Sequence, residues 1–327
     1  MSYRLAPTEP DRAEQGFDLF RRAYLRARQA NPLVPPLTPE HARRLRARVQ
    51  RAFDHGGVAA WRGDELAGFM VAGPRFEMRG LAASLVPETG HAIAPGEDAS
   101  LYGPMYAWIA ERLVREGVQL HLVGHVAMDA HVQASLVDLG FGGIVAERLR
   151  DLSDVPGAPD RFVAGDDDGR IEQMPGDTRW TGLAPLAAEH AAYYCSSPLF
   201  LDKDASVEAA AEDLERHRSA GDGLFVYREG DGALAYLIVG ACPGETEGRL
   251  VAGTRTAQVR SAYARPTIRR RGVGSALLQR SVTWARSAGY ERLFVEHETA
   301  NLEGGPFWRR HFRPFLAFSM RYVGLGS

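Results

Sequence analysis

The sequence predicts a two-domain protein that mixes helices and strands, and three observations predict it. At 327 residues the chain is longer than one ordinary hydrophobic core uses, so two units of roughly 150 residues each are expected. Hydrophobic residues make up 45% and charged residues 24%, the composition of a globular chain rather than a long disordered one. The same order of apolar periodicities then occurs in both halves: two helices, a hairpin, and further helices and strands.

In the first half, apolar residues recur every three or four positions over 17–27 and 39–53 and mark two helices. Residues 58–61 and 66–71 flank a turn at Gly63-Asp64 and predict a β-hairpin. Residues 102–115 form a long amphipathic helix ended by Gly117, followed by a strand over 119–123 and a helix over 131–139 that stops at Gly140-Phe141. Periodicity then disappears over 151–177, where Pro156, Pro159, the run Asp166-Asp167-Asp168-Gly169 and Pro175-Gly176 accumulate. Such turn-formers predict a connecting segment, and the boundary is placed near residue 160, giving domains over 1–160 and 161–327.

The second half repeats the order. Helices are predicted over 186–194 and 207–219, and a hairpin over 223–239 turns at Glu229-Gly230-Asp231-Gly232. A long strand over 255–264, a helix over 273–288, a strand over 292–296 and a short helix over 305–311 complete it. Local identity between the halves is low, so element order alone supports a repeat.

Composition also excludes. A net charge of −2 supplies no general field for a nucleic-acid backbone or an anionic membrane. The two cysteines, Cys195 and Cys242, lack ligand spacing, so neither a disulfide framework nor a metal site is expected, and both read as buried thiols. The first residues carry Glu and Asp rather than a basic stretch before an apolar run, and no apolar run reaches membrane-spanning length. A cytoplasmic protein is the expectation. Lys203 is the single lysine among many arginines.

One segment carries chemistry: Pro266-Thr267-Ile268-Arg269-Arg270-Arg271-Gly272-Val273-Gly274-Ser275, set between a strand and a long helix. A strand entering a glycine-containing turn and then a helix aims several backbone N–H groups at one spot, with the helix dipole behind them. Gly272 and Gly274 let an anion approach the main chain, and three arginines add charge, so a pyrophosphate is the natural guest. The Rossmann and Walker patterns are absent. A basic helix start with ordinary caps is the other reading of these residues.

At this point the chain resembles the GCN5-related N-acetyltransferase (GNAT) family. Its signature is matched by Arg269, Gly272 and Gly274, preceded by Pro266 and followed by Leu277-Leu278 and Gly289. The likeness continues through Leu293-Phe294-Val295-Glu296, Asn301, Phe307-Trp308 and His311-Phe312 and covers about 186–323. It implies two α/β domains in tandem, each a mixed sheet flanked by helices and splayed open to admit a pantetheine arm. The first half resembles the family more faintly. Its corresponding loop, Gly96-Glu97-Asp98-Ala99-Ser100-Leu101, is acidic and lacks the Arg and the glycine pair, which implies a degenerate domain without a cofactor site.

The resemblance implies roles. Arg269, Arg270, Arg271, Gly272, Val273, Gly274 and Ser275 would hold the pyrophosphate of acetyl-CoA, main-chain groups of Tyr263, Ala264 and Arg265 would meet the pantetheine and thioester, and Asn301 would contact the coenzyme from the next loop. Asn301 reads equally as a turn or cap residue. No metal is implied. A general base is needed to take the acceptor's proton; Glu296 and His297 are the candidates, and strand alternation lets only one face the cleft. The family's acid, a tyrosine on the last helix, is here Trp308, whose indole donates hydrogen bonds but no proton at neutral pH. That leaves Tyr263, water or an unassisted thiolate. Trp308, Phe307 and Tyr263 are expected to supply an aromatic wall for the acceptor.

The function expected is transfer of an acetyl group from acetyl-CoA to a primary amine on a small molecule or peptide, with a homodimer allowed and no membrane partner. The rival from another class is a non-catalytic acyl-CoA-binding or regulatory protein, suggested by Trp308 and the degenerate first half. A nucleic-acid-associated acetyltransferase is disfavoured by the net charge.

Overall fold

The computed structural model describes residues 3–153, 170–244 and 248–324; the boundary expected at residue 160 lies outside them. Contacts divide the chain into two compact units. Unit 1 takes in Met1–Arg148, His297–Thr299 and Arg313–Ser327, and unit 2 takes in Leu149–Glu296 and Ala300–Phe312.

Unit 1 begins with β1 (Arg4–Pro7), α1 (Ala13–Ala30) and α2 (Pro39–His55). Helix α2 starts where Thr38 Oγ1 accepts the amide of His41 at 3.2 Å, with a proline in its first turn, a cap that satisfies one of the orphan donors. Leu45, Val49 and Phe53 recur at every fourth position and are its buried apolar stripe. Strands β2 (Val58–Arg62) and β3 (Glu65–Met70) form the expected hairpin, flanked by β1 and by β6 (His91–Ile93) in one antiparallel sheet. A short hairpin, β4 (Phe76–Met78) and β5 (Leu81–Val86), precedes β6. After α3 (Tyr102–Arg115) comes β7 (Leu120–Val126), parallel to β5 from Ala83↔Leu120 to Val86↔Val123. Helix α4 (Ala130–Asp138) and β8 (Gly142–Asp151) follow.

Unit 2 holds β9 (Ile171–Gln173), α5 (Ala184–Cys195), α6 (Val207–Ser219), β10 (Gly223–Glu229), β11 (Gly232–Ala241), β12 (Thr256–Ala264), α7 (Val273–Ser287), β13 (Arg292–Glu298) and α8 (Gly304–His311). Its strands run in the order β13-β12-β11-β10-β9. Alternation along β11 sends Ala235, Leu237 and Val239 to a core with Leu277, Leu278 and Val282 of α7. Tyr236 and Ile238 face the other way, to a core with α5 and α6. One sheet therefore separates the helix that opens at the arginine-glycine loop from the two helices before β10.

The last strand, β14 (Arg313–Tyr322), belongs to unit 1. It lies antiparallel to β7 from Leu316↔Val126 to Tyr322↔Leu120. Gly124 makes this approach feasible, since a Cβ there would sit 2.6 Å from the Phe318 ring. The sequence-based reading missed this strand, along with β1, β4, β5, β6, β8 and β9. In β5 the run Leu-Ala-Ala-Ser-Leu-Val is rich in small residues with weak strand preference, and β14 has a proline as its second residue and begins one residue after a helix. Of the two thiols expected to be buried, Cys242 is buried and Cys195 is exposed.

Candidate functional site

The loop from Pro266 to Ser275 has the backbone that its composition anticipates. A short 3-10 turn, Pro266–Ile268, leads to Arg269 in extended geometry, Arg270 at φ +63° and Gly272 at φ +85°. Gly272 is the cap residue of α7, and no side chain caps the helix. Its first amides are therefore left to a ligand or solvent, with the positive end of the helix dipole behind them. A Cβ on Gly272 would meet nothing within 4 Å, so the space in front of the loop is open. The left-handed φ is the reason glycine stands there.

The three arginines divide their work. Arg269 turns back: its Nε donates to the Ala264 carbonyl at 3.0 Å, and its guanidinium lies 5.4 Å from the Tyr193 ring centroid and 5.8 Å from that of Tyr263. Glu303 completes its surroundings at 3.9 Å. Arg271 pairs with Glu229 at 2.8 Å at the tip of the β10–β11 hairpin, and Arg270 is exposed. Arg269 is thus a strut that fixes the loop to β12, and the amides rather than this guanidinium face outward.

Strands β12 and β13 are paired in parallel only at Thr256↔Arg292, Ala257↔Leu293 and Gln258↔Phe294. Beyond them the β12–β11 register shifts across Ile238/Val239, leaving Arg260 as an extra residue on β12. Bulges of this kind bend a strand and end pairing. The Arg265 amide donates to the Leu234 carbonyl at 3.0 Å, so backbone alternation aims the polar groups of Ala262 and Ala264 at the edge that β13 has left. The Arg265 side chain is held by both carboxylate oxygens of Glu189, at 3.0 and 2.6 Å, a bidentate pair that raises its pKa.

On the α5–α6 face of the sheet the same stretch of β12 carries a polar cluster that sequence reasoning missed. His190 Nδ1 lies 3.0 Å from Tyr236 Oη and 3.3 Å from Ser261 Oγ, and those two hydroxyls are 3.0 Å apart. The imidazole stacks on Tyr263 with 5.3 Å between centroids and tilts against Tyr194 at 5.0 Å. Burial, reinforced by the charges of Lys203 and Arg269, pushes His190 down to about 3, so it is neutral at physiological pH. Burial raises Tyr236 and Tyr193; Tyr263 is raised by burial and by Glu189, and all three stay protonated. The available signal was the spacing of His190, Tyr193 and Tyr194, one turn apart on a predicted helix. Beside the bulge, Asp222 holds His217 at 2.8 Å and lies 3.9 Å from Arg260.

The remaining candidates separate. Glu296 is exposed and His297 is buried, on opposite faces of β13. His297 Nε2 accepts from Arg148 Nε at 3.0 Å, leaving Nδ1–H to donate to the Glu298 carbonyl at 2.9 Å. Both nitrogens are engaged, and no lone pair remains to take a proton. Asn301 is buried; its Oδ1 accepts from Tyr193 Oη at 2.9 Å and from the Gly304 amide at 2.7 Å. It ties the end of α5 to the start of α8. Trp308 does not face a cleft as part of an aromatic wall: it is 8% exposed, within the core of unit 2, and edge-on to Phe307 and Phe312. Phe307 lies against the start of α7, where a Cβ on Gly274 would be 3.4 Å from its ring.

In unit 1 the loop before α3 is built differently. The Glu97 amide donates to the Ala94 carbonyl, Ser100 N to Asp98 Oδ1 at 2.7 Å, and Leu101 N to the Asp98 carbonyl. The Glu97 carboxylate is 2% exposed and held by Arg62 at 2.9 Å and by the Tyr3 hydroxyl. A cavity of about 740 Å³ opens beside this loop, lined by Asp98, Asp129 and Asp138 as well as Arg26 and His131. Where β5 and β7 stop pairing, at Val86↔Val123, the His91 imidazole reaches across to the Gly124 carbonyl at 2.8 Å and takes the Tyr102 hydroxyl at 2.8 Å on Nδ1. Burial pushes His91 down to about 4.

Among the described residues no helix is long and apolar enough to cross a membrane, and no group of three His, Cys, Asp or Glu is arranged to hold a metal. No curated protein matches the chain by sequence. The sequence profile of the acetyltransferase (GNAT) family matches residues 189–312. The fold is similar to that of a GCN5-related N-acetyltransferase from Sphaerobacter thermophilus, 15% identical, with a TM-score of 0.55 over 99% of this chain and 97% of that one. It is also similar to a GCN5-related glucosamine N-acetyltransferase region of a fungal multi-domain GH3 beta-N-acetylglucosaminidase, 12% identical, with a TM-score of 0.57. That match covers 98% of this chain, which spans only 38% of the fungal protein. A tandem GNAT protein from the clavulanic acid biosynthesis pathway aligns over 100% of both chains at 12% identity and a TM-score of 0.48. Residues 189–312 match the acetyltransferase (GNAT) family, and the chain as a whole has an α/β fold similar to that of the GCN5-related N-acetyltransferase from Sphaerobacter thermophilus.

Proposed function

We propose that the protein is an N-acyltransferase that moves an acetyl group from acetyl-CoA to a primary amine, with the donor held by unit 2. The observation that carries this reading is the uncapped N-terminus of α7, entered through Arg270 and Gly272 in left-handed geometry, beside two strands that part after Gln258 and Phe294. The residues present fit a pyrophosphate: the amides of Arg270 to Ser275 would bind it, and Arg270 and Arg271 would add charge. Polar main-chain groups of Ala262 and Ala264 on the open edge of β12 would meet the pantetheine arm. A backbone N–H aimed at the developing oxyanion is worth about 3 kcal/mol of barrier. Arg265 and Asn301 would act by position, through Glu189 and Tyr193, and Arg269 would hold the loop's shape.

The acceptor, a small-molecule or peptide amine, must arrive deprotonated. Glu296 is the base candidate that keeps its place, since both nitrogens of His297 are bonded. Tyr263, protonated at neutral pH, is the candidate to return a proton to the departing sulfur. His190, Tyr236 and Ser261 would orient the acceptor from the α5–α6 face. The domain over 1–160 keeps the fold without a donor site, its loop amides committed to Ala94 and Asp98, while the domain over 161–327 carries the chemistry. A cytoplasmic location, where acetyl-CoA is supplied, goes with this reading.

The second reading, a non-catalytic acyl-CoA-binding protein, is favoured by Trp308, a core residue where the resemblance expects a phenol. Thiol release from acetyl-CoA across a panel of amines separates the two. Turnover with at least one amine, with kcat lowered and its acid limb removed in Glu296→Gln, supports the transferase; bound acetyl-CoA with no thiol released supports the second reading.

A further inference from the structure

Unit 2 carries an amine of its own beside the proposed acceptor site. Lys203, the single lysine of the chain, is exposed on the segment between α5 and α6. Its Nζ lies 4.9 Å from the Tyr194 ring centroid. From there the contacts run inward without a gap: Tyr194 to His190 at 5.0 Å, and His190 to Tyr263 of β12 at 5.3 Å. The ammonium is also near enough to His190 for its charge to act on that imidazole. The other cations on this face are tied down, Arg265 by Glu189 and Arg269 by the Ala264 carbonyl. Among the described residues Lys203 has no comparable anchor beyond the Tyr194 ring, and its ammonium is carried on a flexible four-carbon stem.

We propose that Lys203 is an internal acyl acceptor, so that the protein acetylates itself on this residue. The proposal rests on the acetyl-CoA reading above. The ε-ammonium first gives a proton to solvent. The amine lone pair then forms the N–C bond at the thioester carbonyl, the C–S bond breaks with its electron pair on sulfur, and the proton that the nitrogen loses is taken up by that sulfur, so that CoA leaves as the thiol. The product is a neutral amide, which removes one positive charge from the Tyr194 face and from the field at His190. Self-acetylation would therefore change the electrostatics of the acceptor site as well as occupy it.

The test incubates the full chain with acetyl-CoA and reads intact mass and peptide maps over time. Expected is one acetyl group at Lys203, added at a rate independent of protein concentration, absent from Lys203→Arg and absent from Gly272→Asp. An unmodified Lys203 in protein that binds acetyl-CoA by calorimetry overturns the proposal and leaves the transferase reading standing. Equal labelling of Gly272→Asp also overturns it, since that is simple chemical acylation of an exposed amine. Absence of acetyl-CoA binding overturns both.

Discussion

The loops that open α3 and α7 occupy corresponding places in the two units and treat their amides in opposite ways. Before α3, Asp98 takes the Ser100 amide and Ala94 takes that of Glu97, and a buried carboxylate stands in the loop. Before α7, no side chain caps the helix and arginines flank it. Glycine content does not make the difference, for Gly96 has φ +86° and Gly272 φ +85°. The difference lies in the turn that leads into each helix: Asp98 caps the 3-10 turn Ala99–Leu101 that runs on into α3, itself without a side-chain cap, whereas neither the turn Pro266–Ile268 nor α7 has a side-chain cap and the donors are left for an anion. The strands differ likewise, since His91 spans the parting of β5 and β7 with a hydrogen bond to Gly124. Unit 1 thus lines its cavity, and bridges the parting of its strands, with its own polar groups.

The sharpest way to break this comparison is to place a carboxylate in each loop. Gly272→Asp is expected to weaken acetyl-CoA binding at least about 100-fold, or roughly 2.7 kcal/mol, whereas Gly96→Asp leaves it unchanged; a fluorescent-analogue competition assay reads both. On the stability of the fold, Trp308→Ala has the largest expected effect: it removes a core side chain from unit 2 and is expected to cost about 3–5 kcal/mol in denaturant unfolding. If the indole lined an open cleft instead, stability would barely move.

Acid should weaken the fold through its buried histidines. With His91 held near 4 and His190 near 3, against an ordinary 6.5, the unfolded chain binds protons that the folded chain refuses. Stability is then full above pH 6.5 and falls as pH drops toward these values, by roughly 3 kcal/mol for His91 alone at 1.36 kcal/mol per unit. Thermal melts from pH 7 to pH 4 check the sign. A smaller loss, about 1–3 kcal/mol, is expected for His91→Leu, which strands the Gly124 carbonyl, with acetyl-CoA affinity unchanged because the bridge belongs to unit 1. Smallest is Asn301→Ala, expected to cost about 1 kcal/mol through its lost bonds to Tyr193 and Gly304.

What the sequence revealed of the site was local. The run from Arg269 to Ser275 carries its own turn chemistry, so a strand, a left-handed glycine and an uncapped helix follow from adjacent residues. The roles that depend on distant partners were hidden. Arg269 reads as a phosphate ligand until Tyr193 and Tyr263 are placed on either side of it. His297 reads as a base until Arg148 arrives at its Nε2. Asn301 stood between two readings, and its bonds to Tyr193 and to the Gly304 amide were visible from neither. His190 had only its helical spacing to Tyr193 and Tyr194 as a signature, because its partners Tyr236 and Ser261 come from two later strands. The helices and the hairpins β2–β3 and β10–β11 were equally legible, whereas the β4–β5 hairpin and β14 were not: the hydrogen-bonding partner of β14, β7, lies in the other half of the sequence, and no periodicity in its own ten residues points there.

Of the two loops, only the one before α7 is proposed as a donor site. Calorimetric titration of acetyl-CoA into the unmodified chain tests it most directly. One site per chain with a micromolar dissociation constant is expected. Two sites would contradict the division between the loops, and no binding would contradict the donor site itself.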